Sequence, residues 1–504
     1  MPKSFYTVWI SALMLTLLSG CEVTRAQYVR ATLPFVAAPS PTVPGDTLKL
    51  QPNAIKPMFK EIMAIDLTAV AQVALEKNID IQQARERVEA NRGRVQSSVG
   101  AAFPTIAPGA FLESIDGASR AVGGNLITAS FNTFQPTVFV QWVLNPGKIY
   151  HDILAAKKRM AASQYQEDSV RMESLRAAGV QYYELVLAQA RVDNAYKTLA
   201  EFDEFVRITE ARLRAGTGVQ ADSFRAKAEL AIRRQELLLA LKSFYDASVA
   251  LSLTLDMDAT VTLVPQADTL PPLELVRDSF EIDDLLALAV EYRPDLKGVH
   301  VLIDAARADK KSMLWGGLGP QFSVGQQESG YRGQADKIAL NGVTKDREFS
   351  YIKQDRTVAS AAWKFGLSTF GDVKTANATQ RVAILEARKK LDSVRGEVVK
   401  ALEDIKAQRQ VLPLAQEQVT SAAEALRLSD IGLKNGAATT LDVLHAQGIL
   451  TGGRLRYAEA VCRYNEAQIN LLAAIGALGS ETLFPPTAAA TATVEAQPPA
   501  PNGK

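Results

Sequence analysis

The sequence contains few of the residues from which active sites and metal centres are usually built. Its 504 residues include only three histidines and two cysteines, which are His151, His300, His445, Cys21 and Cys462. A metal site of the His/Cys type needs three or four clustered ligands. The sequence contains no HExxH, CxxC or GxSxG pattern and no glycine-rich phosphate loop with its lysine. We therefore expect no enzymatic activity, no catalytic residue, no metal and no cofactor.

An excess of charge of either sign is also missing. Lysine and arginine number 56, and aspartate and glutamate number 55. A protein that binds nucleic acid normally carries a basic excess or a basic patch, and no basic run here exceeds a few residues. We expect no nucleic-acid partner.

Long hydrophobic runs are absent beyond the N-terminus. The positive start MPK is followed by WISALMLTLLSG (9–20), which is shorter than the ~20 apolar residues that a membrane-spanning helix needs and is typical of a secretory signal. No later apolar run reaches 18 residues. The chain downstream of this signal is therefore expected to have no transmembrane helix and to enter a membrane only through β-strands.

The junction Leu18-Ser19-Gly20-Cys21 resembles the lipobox of bacterial lipoproteins. It predicts a signal peptide over 1–20 and lipidation of Cys21. Residue 22, which follows the cysteine, is Glu and not Asp. The absence of Asp at this position resembles the pattern of lipoproteins that are sorted to the outer membrane. An ordinary signal that is cleaved near Ala26 is the alternative. If Cys21 is lipidated, Cys462 has no cysteine partner in the chain, and we expect it to be a small buried residue on a helix.

Two similar segments lie 220 positions apart, at 212–227 and 432–447. The helical patterns at 74–95 and 289–310 also resemble each other. The sequence thus predicts an internal duplication, in which each half has an opening helix, two strands, a long helix, a tip turn and a returning helix. The predicted divisions are an extended arm over 21–61, repeat 1 over 62–255, a Pro-rich linker over 256–281, repeat 2 over 282–480, and a disordered tail over 481–504.

Heptad spacing marks the long helices. Leucine, valine or isoleucine recurs every seven residues from Leu185 to Leu213 and from Leu391 to Leu433, mostly with smaller residues three positions later. This pattern favours close, coiled-coil-like packing. It predicts a helix over about 148–214, ~100 Å long. We expect Pro413 to kink or break the second long helix near 409–413, and the tip glycines to end each helix with a left-handed backbone.

Two segments before the long helices alternate in polarity. In 136–147 the apolar residues Val138, Val140, Trp142 and Leu144 recur at every second position. In 357–371 one face carries Ala359, Ala361, Trp363, Phe365 and Leu367, and the other includes Ser360 and Lys364. The weaker candidates are 104–114 and 320–331. Such alternation is typical of membrane β-strands, but a sheet packed on the helices would show it equally.

Two features favour membrane strands. One is the lipobox-like junction, and the other is the polar character of segments 117–130 and 334–350, which we interpret as loops. Four strands cannot close a barrel, and open edges do not occur in lipid. Several copies would therefore share one barrel, and three copies would give twelve strands.

These features together resemble the TolC-type outer-membrane efflux family. The resemblance rests on the doubled order of elements, the opening helix at 74–85, Gly147 and Gly371 between strand and helix, and the G-x(5)-D tip turns. LNPGK (144–148) departs from the family's commoner apolar-Asp-Gly-Gly turn. The implied fold is mainly α with membrane β. It is a homotrimer whose twelve-stranded outer-membrane β-barrel, with four strands per subunit, continues into a long α-helical periplasmic barrel.

The resemblance also implies a function. Members of the family are passive export ducts of tripartite efflux or secretion systems, and they work with a periplasmic adaptor and an inner-membrane pump. For a lipid-anchored member, the expected pump is a proton-driven drug or metal pump. The expected location is the outer membrane, with the lipid anchor in that membrane and the helices in the periplasm.

Individual residues receive roles from the same resemblance. Asp442 matches the first aspartate ring of the pore constriction, and His445 stands where some members have a second acid; an exposed residue of no special role is the alternative for His445. Three crowded Asp442 carboxylates would raise each other's pKa, so we expect acid pH to make the mouth less cation-selective. Trp142 and Trp363 are candidates for a membrane girdle. The expected adaptor-contact tips are Gly216, Thr217, Gly218, Val219, Gly436, Ala437 and Ala438.

Two other functions fit parts of the sequence. A periplasmic adaptor lipoprotein also has an anchor and a helical hairpin, but it has one hairpin between compact β domains. A fibrous coiled-coil protein would not need the alternating strands. The exported cargo is not indicated, because a passive duct needs no substrate pocket.

Overall fold

The structure is a computed structural model that describes residues 36–40, 48–49, 61–120, 126–266, 269–276, 281–340, 343–363 and 366–479. The signal peptide, Cys21 and the predicted tail lie outside these residues. The helices are α1 (Leu67–Lys77), α2 (Ile79–Gly100), α3 (Pro146–Arg214), α4 (Gln220–Thr254), α5 (Ile282–Tyr292), α6 (Pro294–Leu318), α7 (Ser368–Lys434) and α8 (Thr440–Ala474). The strands are β1 (Val36–Ser40), β2 (Leu48–Lys49), β3 (Ile62–Ile65), β4 (Thr105–Arg120), β5 (Leu126–Leu144), β6 (Thr262–Pro265), β7 (Thr269–Leu270), β8 (Glu274–Val276), β9 (Pro320–Leu340) and β10 (Val343–Trp363).

The same order of two helices, two long strands and two helices occurs twice along the chain. The matching helices have similar lengths: 11 residues for α1 and α5, 22 and 25 for α2 and α6, 69 and 67 for α3 and α7, and 35 each for α4 and α8. The helix predicted over 148–214 is therefore confirmed, and its counterpart is nearly as long.

The four long strands form one antiparallel sheet in the order β4-β5-β9-β10. The segments predicted as loops, 117–130 and 334–350, are mostly strand, so that prediction is wrong. Backbone pairing across each hairpin continues regardless of side-chain polarity, because the ladder uses only N–H and C=O groups. Among the described residues, no helix makes an extended contact with this sheet, and apolar residues of both faces, such as Leu112 and Phe111, are exposed. This contradicts the alternative of a sheet packed on the helices.

Residues that lie opposite each other across an antiparallel ladder share a face. The registers place most of the apolar residues near the helices on one face; these are Ile106, Pro108, Ala110, Leu112, Phe134, Pro136, Val138, Val140, Trp142, Leu144, Phe322, Val324, Ala359, Ala361 and Trp363. Farther from the helices, this face becomes polar at Glu328 and its partner Asp355. The other face carries Thr137, Gln141, Ser323 and Ser360, together with the apolar residues Phe111, Phe139, Val143 and Val358. Near the helices the sheet thus has one mostly apolar face and one more polar, mixed face.

The long helices lie side by side in one layer. Nearest the sheet the neighbours are α2, α3, α6 and α7, and beyond them they are α4, α3, α8 and α7. The heptad residues form the contacts: Leu185 and Val192 are buried in α3, and Val398 and Leu412 in α7. Helix α7 runs without interruption through Pro413. The predicted break is therefore wrong, because packing of Leu412 and its neighbours outweighs one lost hydrogen bond.

The short strands β1 to β3 and β6 to β8 form a belt that packs against the long helices. The N-terminal strands pair with the linker strands as β1–β8, β2–β7 and β3–β6. Two buried amides of α8 hold the linker backbone. Asn465 accepts from the N–H of Leu273 at 3.0 Å, and Gln468 donates to the carbonyl of Leu273 at 2.6 Å. The linker at 256–281 is therefore an ordered part of the core over its described residues.

Both returning helices end at a residue with positive φ. This residue is Asp256 (φ 53°) after α4 and Gly476 (φ 78°) after α8. At each end, the residue that connects two other helices donates a hydrogen bond to a carbonyl in the last turn of the returning helix. This residue is Asn78, between α1 and α2, in the first half and Arg293, between α5 and α6, in the second. Asn78 donates to Thr254 at 3.1 Å, and Arg293 donates to Ala474 at 3.1 Å. The second joint is charged, because Arg293 also pairs with Asp295 and Glu397, each at 2.6 Å.

Among the residues that the structure describes, one helix, Gln220–Thr254, is long and apolar enough to cross a membrane by length and composition, with a mean hydropathy of 1.3 over its best window and 22% of that window buried. Its exposed side chains include Phe224, Leu238, Leu239 and Leu253. The sequence predicted no such helix.

Candidate functional site

The two tip turns have the same backbone. They connect α3 to α4 and α7 to α8, and Gly216 and Gly436 each have a φ of 73°. A left-handed φ favours glycine because other residues meet their own carbonyl there. Both turns lie at the same end of the helix layer, because the hairpins pack side by side. All seven predicted tip residues lie in these two turns; five of them are exposed, and Gly218 and Ala438 are half-buried.

In each turn two backbone segments approach each other closely, and a glycine leaves room for the approach. The glycine stands on opposite sides of the turn in the two hairpins. In the first turn the N–H of Gly218 donates to the carbonyl of Arg212 at 3.0 Å, and a Cβ on Gly218 would lie 2.9 Å from the Leu213 nitrogen. In the second turn the N–H of Ala438 donates to Gly432 at 3.1 Å, and a Cβ on Gly432 would lie 2.9 Å from that of Ala438. The glycine therefore stands after the turn in one hairpin and before it in the other.

Contacts between the hairpins hold the two tips together. The Arg212 guanidinium donates to the carbonyl of Leu433 at 2.8 Å, and the Thr440 hydroxyl donates to Asp222 at 3.2 Å. A small apolar cluster of Phe205, Ala226 and Val443 lies beside these bonds. The sequence indicated neither cross-hairpin bond, because the partners lie more than 200 residues apart.

Asp442 lies in the first turn of α8, whose N-cap residue is Thr439. Its carboxylate accepts from the backbone N–H and the hydroxyl of Thr439, each at 2.7 Å, in a reciprocal capping box. The Thr439 N–H, then its hydroxyl, and to a smaller degree His445 lower the pKa of Asp442, while desolvation opposes them. Within one chain the pKa therefore shifts opposite to the predicted direction, because these hydrogen bonds favour the carboxylate.

His445 lies one turn after Asp442 on the exposed side of α8. It lines a groove of about 370 Å³ together with Gln418, Gly448 and Arg456. Asp442 and His445 thus share one exposed stripe of the helix. Among the described residues, no group of three or more His, Cys, Asp or Glu side chains is placed to hold a metal ion.

The end of the sheet nearest the helices carries the aromatic residues. Trp142 donates from Nε1 to the carbonyl of Ala102 at 2.9 Å, and Trp363 is 57% exposed. Both predicted girdle residues lie at this level. A third aromatic residue, Trp315 of α6, was not predicted. Its ring occupies the space beside Gly147, where a Cβ would lie 2.0 Å from the ring.

Comparison with known proteins decides the family. The model of the family "Outer membrane efflux protein" matches residues 70–255 and 285–477, which is more than half of the chain. The chain belongs to the outer membrane efflux protein family. Outer membrane, efflux and transport therefore describe this protein at the level of its family.

Individual relatives are distant but span most of the chain. Nodulation protein T of Rhizobium leguminosarum bv. trifolii is 22% identical over 94% of this chain and 97% of its own length. The outer membrane protein VceC of Vibrio cholerae is similar with a TM-score of 0.67 at 17% identity, covering 81% of this chain and 96% of VceC. A membrane protein from Pseudomonas aeruginosa gives a TM-score of 0.68 at 18% identity over 87% and 99%. The fold is that of solved outer membrane channels.

Proposed function

We propose that this outer membrane efflux protein is the passive export duct of a tripartite system. In this proposal a homotrimer forms a twelve-stranded outer-membrane barrel above a periplasmic helical barrel. A periplasmic adaptor binds its tips, and an inner-membrane pump, driven by protons in the drug and metal classes, supplies the cargo. The observation that supports it best is that the sheet and the helix layer both end in unpartnered edges.

The edges of the sheet favour assembly by copies of the same chain. Strands β4 and β10 each have a partner on one side only among the described residues. An unpaired edge in hydrocarbon leaves backbone N–H and C=O groups unsatisfied. Four antiparallel strands begin and end in opposite directions, so β10 of one copy can pair antiparallel with β4 of the next. Three copies then close twelve strands, with the apolar face toward lipid and the polar face toward the pore.

The helix layer ends in the same manner. Its outer helices beyond the sheet are α4 and α7, and both carry exposed apolar side chains, including Leu239 (66%) and Leu414 (64%). In the proposed trimer α7 of one copy covers α4 of the next. The apolar character of α4 then reflects a subunit contact. The exposed Lys242–Asp246 ion pair in this helix would be costly in a bilayer.

Leu414→Asp is expected to lower the trimeric fraction by about tenfold or more, because a carboxylate loses much of its hydration in a protein interface. The measurement is analytical ultracentrifugation of the purified protein in detergent. Leu414→Met, which keeps the volume and the apolar surface, should leave the trimer intact. Equal behaviour of the aspartate and wild-type proteins would contradict the assembly.

The remaining parts of the proposal follow the sequence. Cleavage of residues 1–20 and acylation of Cys21 would add a lipid anchor, and the arm 21–61 would extend from it to the strand belt. The repeats 62–255 and 282–480, joined by the linker, would each supply one hairpin. Trp142 and Trp363 would mark the periplasmic boundary of the membrane. The seven tip residues would form a quasi-sixfold surface for the adaptor.

Asp442 and His445 are proposed to line the closed mouth. Asp442→Asn is expected to lower the cation-over-anion permeability ratio about fivefold, since ~1 kcal/mol of electrostatic attraction corresponds to that factor. The measurement is single-channel conductance in a planar bilayer at mildly acidic and mildly basic pH. A cation preference that weakens at the acidic pH in the wild type but not in Asp442→Asn would support the expectation that acid makes the mouth less cation-selective.

Unchanged selectivity in Asp442→Asn would remove this residue from the constriction. No conductance in a variant with opened tips would favour the alternative, a periplasmic adaptor lipoprotein, which forms no pore. The two long strand pairs argue against an adaptor, because such a protein needs no sheet with one lipid-compatible face.

A further inference from the structure

A polar cavity of about 320 Å³ lies where α2, α3 and α6 meet, just below the sheet. The first residue of α3 that lines the cavity is Ile149, which lies about 5 Å along the helix from its start beside the sheet. The polar residues that line it are Asn91, Arg94, Ser97, Ser98, Asp152, Arg159 and Asp309. The cavity is large enough for a small charged group, and neither the pore nor the tips uses it.

One side of the cavity offers hydrogen-bond donors. The Arg94 guanidinium donates to the neutral Asn91 amide at 2.9 Å, and it has no carboxylate ion-pair partner in the part of the chain that the structure describes. By contrast, Arg92 pairs with Glu89 at 2.6 Å. A guanidinium that lacks an acidic partner, next to the Ser97 hydroxyl, suits a phosphate.

The other side carries two carboxylates. Asp152 pairs with Lys148 at 2.6 Å, and Asp309 pairs with Arg159. Burial raises the pKa of Asp309, Arg159 opposes this shift, and the nearby Asp152 raises it further. Because the two acids repel each other, a further cation between them would be stabilised.

An apolar surface continues from the cavity toward the membrane. Ala101 lines the cavity, and the exposed Phe103 and Ile106 follow it in the chain. Ile106 begins the apolar face of β4. If the sheet lies in the membrane as proposed, cationic, anionic and apolar groups follow one another near the level where lipid headgroups meet acyl chains.

We propose that this cavity binds a phospholipid of the inner leaflet with a zwitterionic phosphoethanolamine headgroup. The phosphate lies against Arg94 and Ser97, and the ammonium lies toward Asp152 and Asp309. The acyl chains run along Phe103 and Ile106. This inference rests on the proposed position of the sheet in the membrane.

The test is native mass spectrometry of the delipidated protein titrated with phosphatidylethanolamine or phosphatidylglycerol of the same acyl chains. We expect phosphatidylethanolamine to bind at least about fivefold more tightly. Arg94→Gln should weaken its binding about tenfold, the usual effect of one charge-assisted hydrogen bond. Arg92→Gln, two positions away, should have no effect. Asp309→Asn should reduce the preference for phosphatidylethanolamine over phosphatidylglycerol.

Equal binding of the two lipids, or equal losses in the Arg94 and Arg92 variants, would overturn the proposal and indicate nonspecific surrounding lipid. Binding of free glycerophosphoethanolamine as tight as that of the lipid would assign the cavity to a soluble ligand and also overturn it. The oligomeric mass and the conductance of the same preparation separate the two proposals. A conducting trimer without bound lipid contradicts only this inference, whereas a non-conducting monomer contradicts the proposed function.

Discussion

Gly476→Ala should lower the free energy of unfolding by about 2–4 kcal/mol. A left-handed φ costs a non-glycine residue roughly 1 kcal/mol or more, and overpacking adds about 1–3 kcal/mol. A Cβ at Gly476 would lie 2.8 Å from the Arg293 nitrogen and 2.9 Å from its Cα. These are backbone atoms, which cannot rotate away. Their displacement would also disturb the bonds from Arg293 to Asp295 and Glu397.

The chain provides its own control for this change. Asp256 ends α4 as Gly476 ends α8, also with a positive φ. Asp256→Gly removes strain but adds freedom to the unfolded chain, so we expect a change within about 0.5 kcal/mol of zero. Thermal unfolding in detergent, followed by circular dichroism, measures both variants. Similar midpoints for Gly476→Ala and the wild type would show that the joint yields to the added methyl.

Gly147→Ala should destabilise the junction between sheet and helices by about 2–3 kcal/mol. The new Cβ would overlap the Trp315 ring, so the indole must leave its position beside α3. The backbone of Trp315 is fixed by its neighbours, because its carbonyl accepts from the Asn145 amide at 2.9 Å and from the Gly319 N–H at 2.8 Å. The side chain alone must therefore move.

Gly371→Ala is the matched change in the second half. No atom lies within 4 Å of a Cβ at Gly371, and alanine favours helix by up to about 1 kcal/mol over glycine. The two glycines that mark the same junction in the sequence should therefore respond with opposite signs. A double-mutant cycle of Gly147→Ala with Trp315→Ala tests the cause, because removing the indole should abolish most of the cost. Additive effects would exclude Trp315 as the cause.

Local patterns predicted the long elements well. The seven-residue spacing from Leu391 to Leu433 depends only on neighbouring turns of one helix, and the tip glycines on the geometry of a helix end. Distant pairings were not predictable in this way. Nothing near Gly147 in the sequence indicates Trp315, and nothing in the Pro-rich arm indicates that β1 pairs with β8. Both contacts result from how remote segments pack.

The expectation that three Asp442 carboxylates raise each other's pKa concerns the trimer, and it stays a prediction. Within one chain, Thr439, three residues before Asp442, is a capping-box signal that the sequence already contains, and it accounts for the lowered pKa. The strand hairpins were ended too early at 117 and 334 because polar side chains were interpreted as loop, although such side chains also suit the rim of a membrane sheet.

The reversed glycine positions at the tips limit how the two hairpins can be recombined. Copying Ala438 alone onto position 218 places a methyl group against the backbone of Arg212. Copying Gly432 alone onto position 212 removes the arginine whose guanidinium ties one hairpin to the other. Exchange of the whole blocks, 212–218 for 432–438, keeps each glycine at its own close approach, although it too replaces Arg212. A chimera with a junction inside a block would have glycine at both of these positions or at neither, although each natural turn has glycine at one of them.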